Sequence, residues 1–217
     1  MNILAIDTGG DCCAVTLRID GKLASENIIQ TQRDQAKILA PLTQELLKEN
    51  NLNVNDIDRF GIAIGPGSFT GLRVGLAFIR GLALGSGKQA YGFDHFKVIA
   101  RALNQQPAPV LIIRESKRED LFCAWLKNGK LSDYFLSTAQ NLVNSLPSDV
   151  SYAITGNGAA ALVQLKAELK ANMVDLSDSD FMKNLCELVE QETGNADMPP
   201  QPLYLRDADV NIPKHIV

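Results

Sequence analysis

The sequence predicts an α/β protein built from two related halves of β-β-β-α-β-α type, the second shortened, and three observations carry that prediction. Asp20-Gly21 and Asn128-Gly129 each separate two apolar runs, which is among the strongest short-range hairpin signals. Gly65-Pro66-Gly67 and Gly156-Asn157-Gly158 each break a short apolar run just before a helix-forming stretch. The same order of elements recurs on either side of a polar, proline-bearing connection at 104–109, which divides the chain into 1–103 and 104–217.

Taken in order, residues 2–7 read as a buried strand ended by Thr8-Gly9-Gly10, and 12–19 with 22–29 form the first hairpin. Residues 34–49 set Ile38, Leu39, Leu42 and Leu46 on one helical face, with Pro41 expected to kink the helix or mark the start of its regular part. A fourth strand at 60–64 runs into the glycine-rich helix, and 90–93 follows as a fifth. In the second half, 110–113 is a strand, 121–127 and 130–136 a hairpin, 138–146 a helix, 152–155 a strand and 159–169 a helix. A further amphipathic helix at 179–192 precedes a proline-rich stretch and a tail.

The chain is organised around residues 61–81. Gly65, Pro66 and Gly67 turn the backbone sharply, and Ser68 or Thr70 can cap the helix that follows Phe69, since a short side-chain oxygen accepts from its first free N–H groups. From 70 to 84 the only charges are Arg73 and Arg80, which project within about 20° of each other at 100° per residue. Gly71, Gly75, Gly81 and Gly85 lie on the other side with Val74, Phe78 and Leu82. Glycine costs roughly 1 kcal/mol per interior helical position relative to alanine, so four of them call for close approach by another backbone. That backbone is the helix's own sheet, or a partner subunit on a second face. A phosphate cradle is a third reading, weakened by the lack of a Gly-Lys-Ser/Thr ending or Gly-x-Gly-x-x-Gly spacing.

Composition narrows the function. With 217 residues, 46% hydrophobic and 21% charged, the chain can bury a substantial core. A net charge of −4 without a basic block argues against independent nucleic-acid binding. Cys12, Cys13, Cys123 and Cys186 lack C-x-x-C spacing, no secretory leader opens the chain and no stretch spans a membrane, so the expected place is the reducing cytoplasm. His95 and His215 stand too far apart in sequence to form a zinc-binding pair, and Gly-Pro-Gly-Ser-Phe-Thr-Gly is not a Gly-x-Ser-x-Gly nucleophile elbow. No metal site and no catalytic residue is assigned. The charged stretch 114–120 reads as a solvated turn.

Two halves of this type resemble the superfamily of actin-like ATPases and sugar kinases, whose fold is ribonuclease-H-like. There a carboxylate at the end of the first strand helps hold a nucleotide's metal, a place matched by Asp7, with Thr8 beside it. The resemblance leaves a small-molecule kinase as the enzymatic alternative, although just over 200 residues leave little room for an adenosine pocket and lid. More closely, Ile-Leu-Ala-Ile-Asp-Thr (3–8), Gly-Pro-Gly-Ser-Phe-Thr-Gly-Leu-Arg-Val-Gly (65–75) and Pro-Leu-Tyr-Leu-Arg (202–206) are similar to the TsaB side of the family of bacterial tRNA threonylcarbamoyladenosine biosynthesis proteins.

That resemblance implies a part in placing threonylcarbamoyl on the adenosine 3′ of the anticodon of tRNAs that read A-starting codons. The implied role is a non-catalytic subunit that stabilises the catalytic paralogue TsaD, with the ATPase TsaE needed for turnover. Nucleotide would be held only in the assembled complex and tRNA met only through it, with self-pairing when the chain is alone. The implied contact runs through Ile38, Leu39, Leu42 and Leu46 of the first helix and Gly71, Arg73, Val74, Gly75, Phe78 and Leu82 of the second. Gly75→Arg then offers a way to block it. The chain departs from the family pattern at Asp34-Gln35, where a His followed by Ser or Thr is usual. It departs again at 113–122, where Ile-Arg-Glu-Ser-Lys-Arg-Glu-Asp-Leu-Phe replaces Ile-Asp-Ala-Arg-x-x-Glu-x-Tyr. The resemblance carries no ligand role to those positions.

Overall fold

In the computed structural model, which describes residues 1–31, 33–116, 118–146, 151–194 and 196–205, strand β1 (Asn2–Asp7) is buried on both faces from Ile3 onward. Such a strand must be covered by neighbours in its sheet and by helices above and below. Antiparallel β2 (Cys12–Ile19) and parallel β4 (Arg59–Ala63) flank it. Outside them lie β3 (Lys22–Gln30) and β5 (Gln89–Phe93), giving the order β3-β2-β1-β4-β5. The second sheet repeats this plan. β6 (Val110–Glu115) takes the place of β1, between antiparallel β7 (Asp120–Lys127) and parallel β10 (Ala153–Thr155). β8 (Lys130–Leu131) and β9 (Phe135–Thr138) share the outer edge of β7, which makes this sheet five-stranded too, but among the described residues no strand beyond β10 corresponds to β5. Both hairpin dipeptides have positive φ at each residue, 48° and 78° at Asp20-Gly21 and 52° and 72° at Asn128-Gly129, as a tight two-residue turn demands.

The expected strand at 130–136 is split, because the Ser132 hydroxyl takes the Trp125 N–H and interrupts the ladder. Helix α1 (Gln35–Glu49) continues through Pro41, which lies on its exposed side. The sequence reading lacked α3 (His95–Ala102), capped by Asp94 accepting from Lys97 N. The expected helix at 159–169 is α5 (Ala159–Leu165) followed by a 3₁₀ stretch, and 138–146 is α4 (Ala139–Ser145), capped by Thr138.

The elements stack in five layers. α1 and α2 (Phe69–Ser86) cover one face of the first sheet, with Leu39, Leu42, Leu46, Leu76 and Ile79 against Leu4, Ile6, Phe60 and Ile62. Its other face packs on α3 and α6 (Asp178–Glu190), which are shared with the second sheet through Val110, Ile112 and Ala124. α4 and α5 close the far side around Leu111, Ile113, Leu142 and Leu162. α6 therefore does not stay within the second half, as a division at 103/104 expects. A Cβ on Gly61 of β4 would lie 2.6 Å from Val189 of α6, so the helix sits close on the first sheet. Residues 196–205 also return to that sheet as a strap: Gly92 and Asp197 exchange backbone hydrogen bonds, and Leu203 N donates to Ile64 O.

The end of α6 is held by charge. Arg59 Nη1 donates to the Val189 and Glu190 carbonyls at 2.8 and 3.3 Å, satisfying acceptors that a helix C-terminus leaves open. Arg18, only 11% exposed at its side chain, lies 2.9 Å from Glu190 and 3.8 Å from Glu187. Arg18→Met keeps the stem and removes these charge-assisted bonds, so it is expected to cost about 1.5–3 kcal/mol. Urea unfolding at neutral pH measures this.

Candidate functional site

β1 ends at Asp7 in the cleft between the two sheets. One carboxylate oxygen accepts from Gly9 N at 2.8 Å, and the other lies 3.1 Å from His95 Nε2. His95 is the first residue of α3, is 1% exposed and stacks on Phe181 of α6 at 5.1 Å. Burial pushes the Asp7 carboxyl upward, but the charge and hydrogen bond of His95, the Gly9 N–H and the charge of Arg114 outweigh it and hold the group below the ordinary carboxylate value. Arg114, expected in a solvated turn over 114–120, instead lies on β6, because the strand runs on to Glu115, and it enters the same cleft facing Asp7, Asp11 and Asp178. The cleft holds about 230 Å³.

A nucleotide with its metal, which the fold superfamily implies, does not fit these residues. Asp7 is engaged by His95 and Gly9, and Thr8 Oγ1 donates to Gly71 O at 2.8 Å instead of facing the cleft. The volume lies below the roughly 300–1,000 Å³ of small-molecule sites. Among the described residues no cluster of three or more His, Cys, Asp or Glu is placed to hold a metal ion, and His215 lies outside them.

The glycine-rich block clamps the end of β1. Gly65 has φ 111°, a conformation open to glycine, and its carbonyl accepts from His95 N. Pro66 is buried beside it. A Cβ on Gly67 would lie 2.1 Å from Gly9 O, one on Gly71 2.0 Å from Thr8 O, and one on Gly75 2.3 Å from Thr8 Oγ1. Ser68 caps α2 by accepting from Gly71 N at 3.2 Å, while Thr70 is already helical and exposed. Gly81 and Gly85 meet nothing within 4 Å. The four glycines thus divide into two that seat the helix on its own sheet and two that leave backbone open to solvent.

The ten residues expected at a partner contact divide likewise. Leu39, Leu42, Leu46, Gly71 and Gly75 are buried in the chain's own core and cannot also cover a rigidly docked partner. Gly75→Arg would therefore break the fold before it tested a contact. Ile38, Val74, Phe78 and Leu82 are half-buried, and Arg73 is exposed. Phe78 and Leu82 form, with Leu47, Leu52 and Val54, the wall of an apolar groove of about 670 Å³ between α1 and α2. The outer face of α2 adds Ala77 and Leu84, 85% exposed, which the sequence does not single out, together with Phe69, expected in the loop and 51% exposed, and Gly81. An uninterrupted apolar helix was the available signal for them, but periodicity alone does not say which flank faces the sheet. His95 and Tyr204 were missed as partners because each meets its counterpart across a long sequence separation, 88 residues to Asp7 and 131 to Arg73.

Comparison with known proteins gives one family. The model of the family described as TsaD: tRNA N6-adenosine threonylcarbamoyltransferase matches residues 25–214. The tRNA threonylcarbamoyladenosine biosynthesis protein TsaB of Haemophilus influenzae is 27% identical over 225 aligned positions, spanning 95% of this chain and 94% of its own. Among solved structures, YeaZ from Pseudomonas aeruginosa superposes with a TM-score of 0.71 at 19% identity, covering 94% of this chain and 99% of its own. Lmo2764, a putative N-acetylmannosamine kinase from Listeria monocytogenes, superposes with a TM-score of 0.54 at 11% identity, covering 88% and 99%. At those identities the structural likeness is one of fold.

Proposed function

From the premise that this chain belongs to the TsaD family of tRNA N6-adenosine threonylcarbamoyltransferases, as a TsaB homologue in tRNA threonylcarbamoyladenosine biosynthesis, we propose that it is a non-catalytic subunit that binds and stabilises the catalytic paralogue TsaD. The observation that supports this reading is the outer face of α2. Phe69, Ala77, Gly81 and Leu84 lie open on a helix with no acidic residue, beside the apolar groove against α1. Exposed Arg73 and Arg80 share this face, and apolar side chains open beside arginines are the kind of surface that marks a contact with another protein. The partner would lay helices along it as an antiparallel bundle, with the open backbone at Gly81 and Gly85 allowing close approach.

In this reading the chain carries no cofactor of its own, nucleotide belongs to the assembled complex with TsaE and TsaD homologues, and tRNA is met only through that complex. Its place is the cytoplasm, which suits four free, buried cysteines. No helix among the described residues is long and apolar enough to cross a membrane.

Leu84→Asp and Gly81→Arg probe the face without entering the core. Each is expected to weaken association with a purified TsaD homologue by tenfold or more, roughly 1.4 kcal/mol, while circular dichroism and the melting temperature stay near the parent's. Reconstituted tRNA modification should fall in parallel. Unchanged association in both variants would overturn this reading.

A further inference from the structure

The cleft between the two sheets is too small for a nucleotide, yet its lining carries buried polar atoms that the fold leaves without a partner. Among the described residues, Arg114 Nε and His95 Nδ1 are both buried and make no hydrogen bond. Arg114 also has no carboxylate within ion-pair distance among them, and Asp7, Asp11 and Asp178 act on its charge from farther off. A guanidinium presents a rigid fork of N–H donors and keeps its charge at every physiological pH. Buried donors without a partner are rare in folded proteins. The fork is therefore set for an acceptor that the chain itself does not supply.

The space beside this fork is kept open by a glycine. A Cβ on Gly10 would lie 3.7 Å from Arg114 Nη2 and 3.8 Å from Asp7 Oδ2, so a larger side chain at that position would enter the cleft. On the other side the loop after β10 is fixed against β6, because Asn157 Oδ1 accepts from Glu115 N at 3.1 Å.

Charge selects what can lie there. Asp7 is matched by His95 at the buried floor, whereas Asp175 and Asp178 are exposed at the mouth, where Gln30 Nε2 donates to Asp178 at 2.7 Å. A phosphate carries more than one negative charge at neutral pH and is opposed by these acids. A ligand with a carboxylate at one end and an ammonium at the other meets the arginine below and the acids above. Ile99 and Phe181, both buried, offer an apolar wall to a short side chain.

We infer that the cleft is a binding site for a small free amino acid, its carboxylate taken by the Arg114 fork and its ammonium by the acids at the mouth, Asp178 foremost. No residue of α2 lines the cleft, so this site and the docking face stand or fall separately.

Isothermal titration and thermal unfolding of the full chain test it with a panel of the common α-amino acids, the N-acetyl and amide derivatives of whichever binds best, and inorganic phosphate. At least one amino acid is expected to bind one-to-one and to raise the melting temperature, as a ligand specific to the folded state must. Each derivative lacks one of the two charges and should bind at least tenfold more weakly. Arg114→Gln should weaken binding at least tenfold, and Asp178→Asn, at an exposed position, about threefold. Gly10→Val fills the space while meeting only side-chain atoms. It should abolish binding and leave the melting temperature of the ligand-free chain near the parent's, and it decides the matter should Arg114→Gln fail to fold. Binding of no amino acid by the parent overturns the site. So does phosphate or the N-acetyl derivative binding as tightly as the amino acid, or affinity that survives both Arg114→Gln and Gly10→Val.

Discussion

His95→Ala is expected to destabilise the fold by about 3–5 kcal/mol, from the loss of a hydrogen-bond partner to a buried carboxylate together with the cavity that a large buried side chain leaves, whereas Asp7→Asn should cost about 1–2 kcal/mol, nearer the loss of one charge-assisted hydrogen bond. The asymmetry follows from what each change leaves behind. Without His95, the Asp7 carboxylate remains 5% exposed with the Gly9 N–H and the Arg114 charge, and a cavity opens against Phe181. Asp7→Asn preserves shape, and the imidazole can still bond the amide.

The pH dependence has a definite sign. Asp7 has a folded value below that of the unfolded chain, about 3.9, so its contribution is present above that value and is lost as pH falls through the folded one. The stability gap between parent and Asp7→Asn should be constant at neutral pH and narrow in strong acid. In His95→Ala burial dominates, the carboxyl value rises above the unfolded one and the sign reverses, so the deficit of this variant against the parent should be largest near neutral pH and shrink as pH falls. Urea unfolding at a series of pH values reads all three proteins. An acid limb shared by parent and Asp7→Asn would contradict this account.

Gly71→Ala is expected to destabilise by about 2–3 kcal/mol, although alanine is intrinsically the better helix former by roughly 1 kcal/mol. Its methyl group would lie 2.0 Å from the carbonyl oxygen of Thr8, a backbone atom at the end of a strand buried on both faces. The neighbour cannot rotate aside, so the helix must lift from the sheet. Gly75→Ala meets the Thr8 hydroxyl, itself bonded to Gly71 O, and should be milder. Gly81→Ala and Gly85→Ala meet open space, and each should stabilise the free chain by up to about 1 kcal/mol. Opposite signs within one helix are the test, read from thermal unfolding of the four single variants. Four losses of similar size would mean that the outer face is covered.

Much of the plan was legible because local chemistry dictated it. Asp20-Gly21 and Asn128-Gly129 announce two hairpins that form as the dipeptides require, and Ser68 caps the helix it precedes. α3 escaped notice because its signal is short: one cap at Asp94 and a single turn and a half of apolar residues after a strand. The candidate site was less legible. Which flank of α2 meets the sheet depends on Thr8, some sixty positions earlier, and the Asp7–His95 and Arg73–Tyr204 contacts depend on how distant elements stack. A sequence shows that a helix is apolar all round before it shows which side its own fold uses.

The return of α6 and the strap to the first sheet bears on how the molecule is made. When a ribosome has released residues 1–103, every strand of that sheet exists, yet Phe181, Leu185 and Val189, which cover Ile3, Ala5, Ala14 and Ala63, have not been synthesised. The nascent half must wait with one greasy side of its sheet incomplete, and nonsense products ending near the midpoint should precipitate or be degraded instead of persisting as a stable lobe.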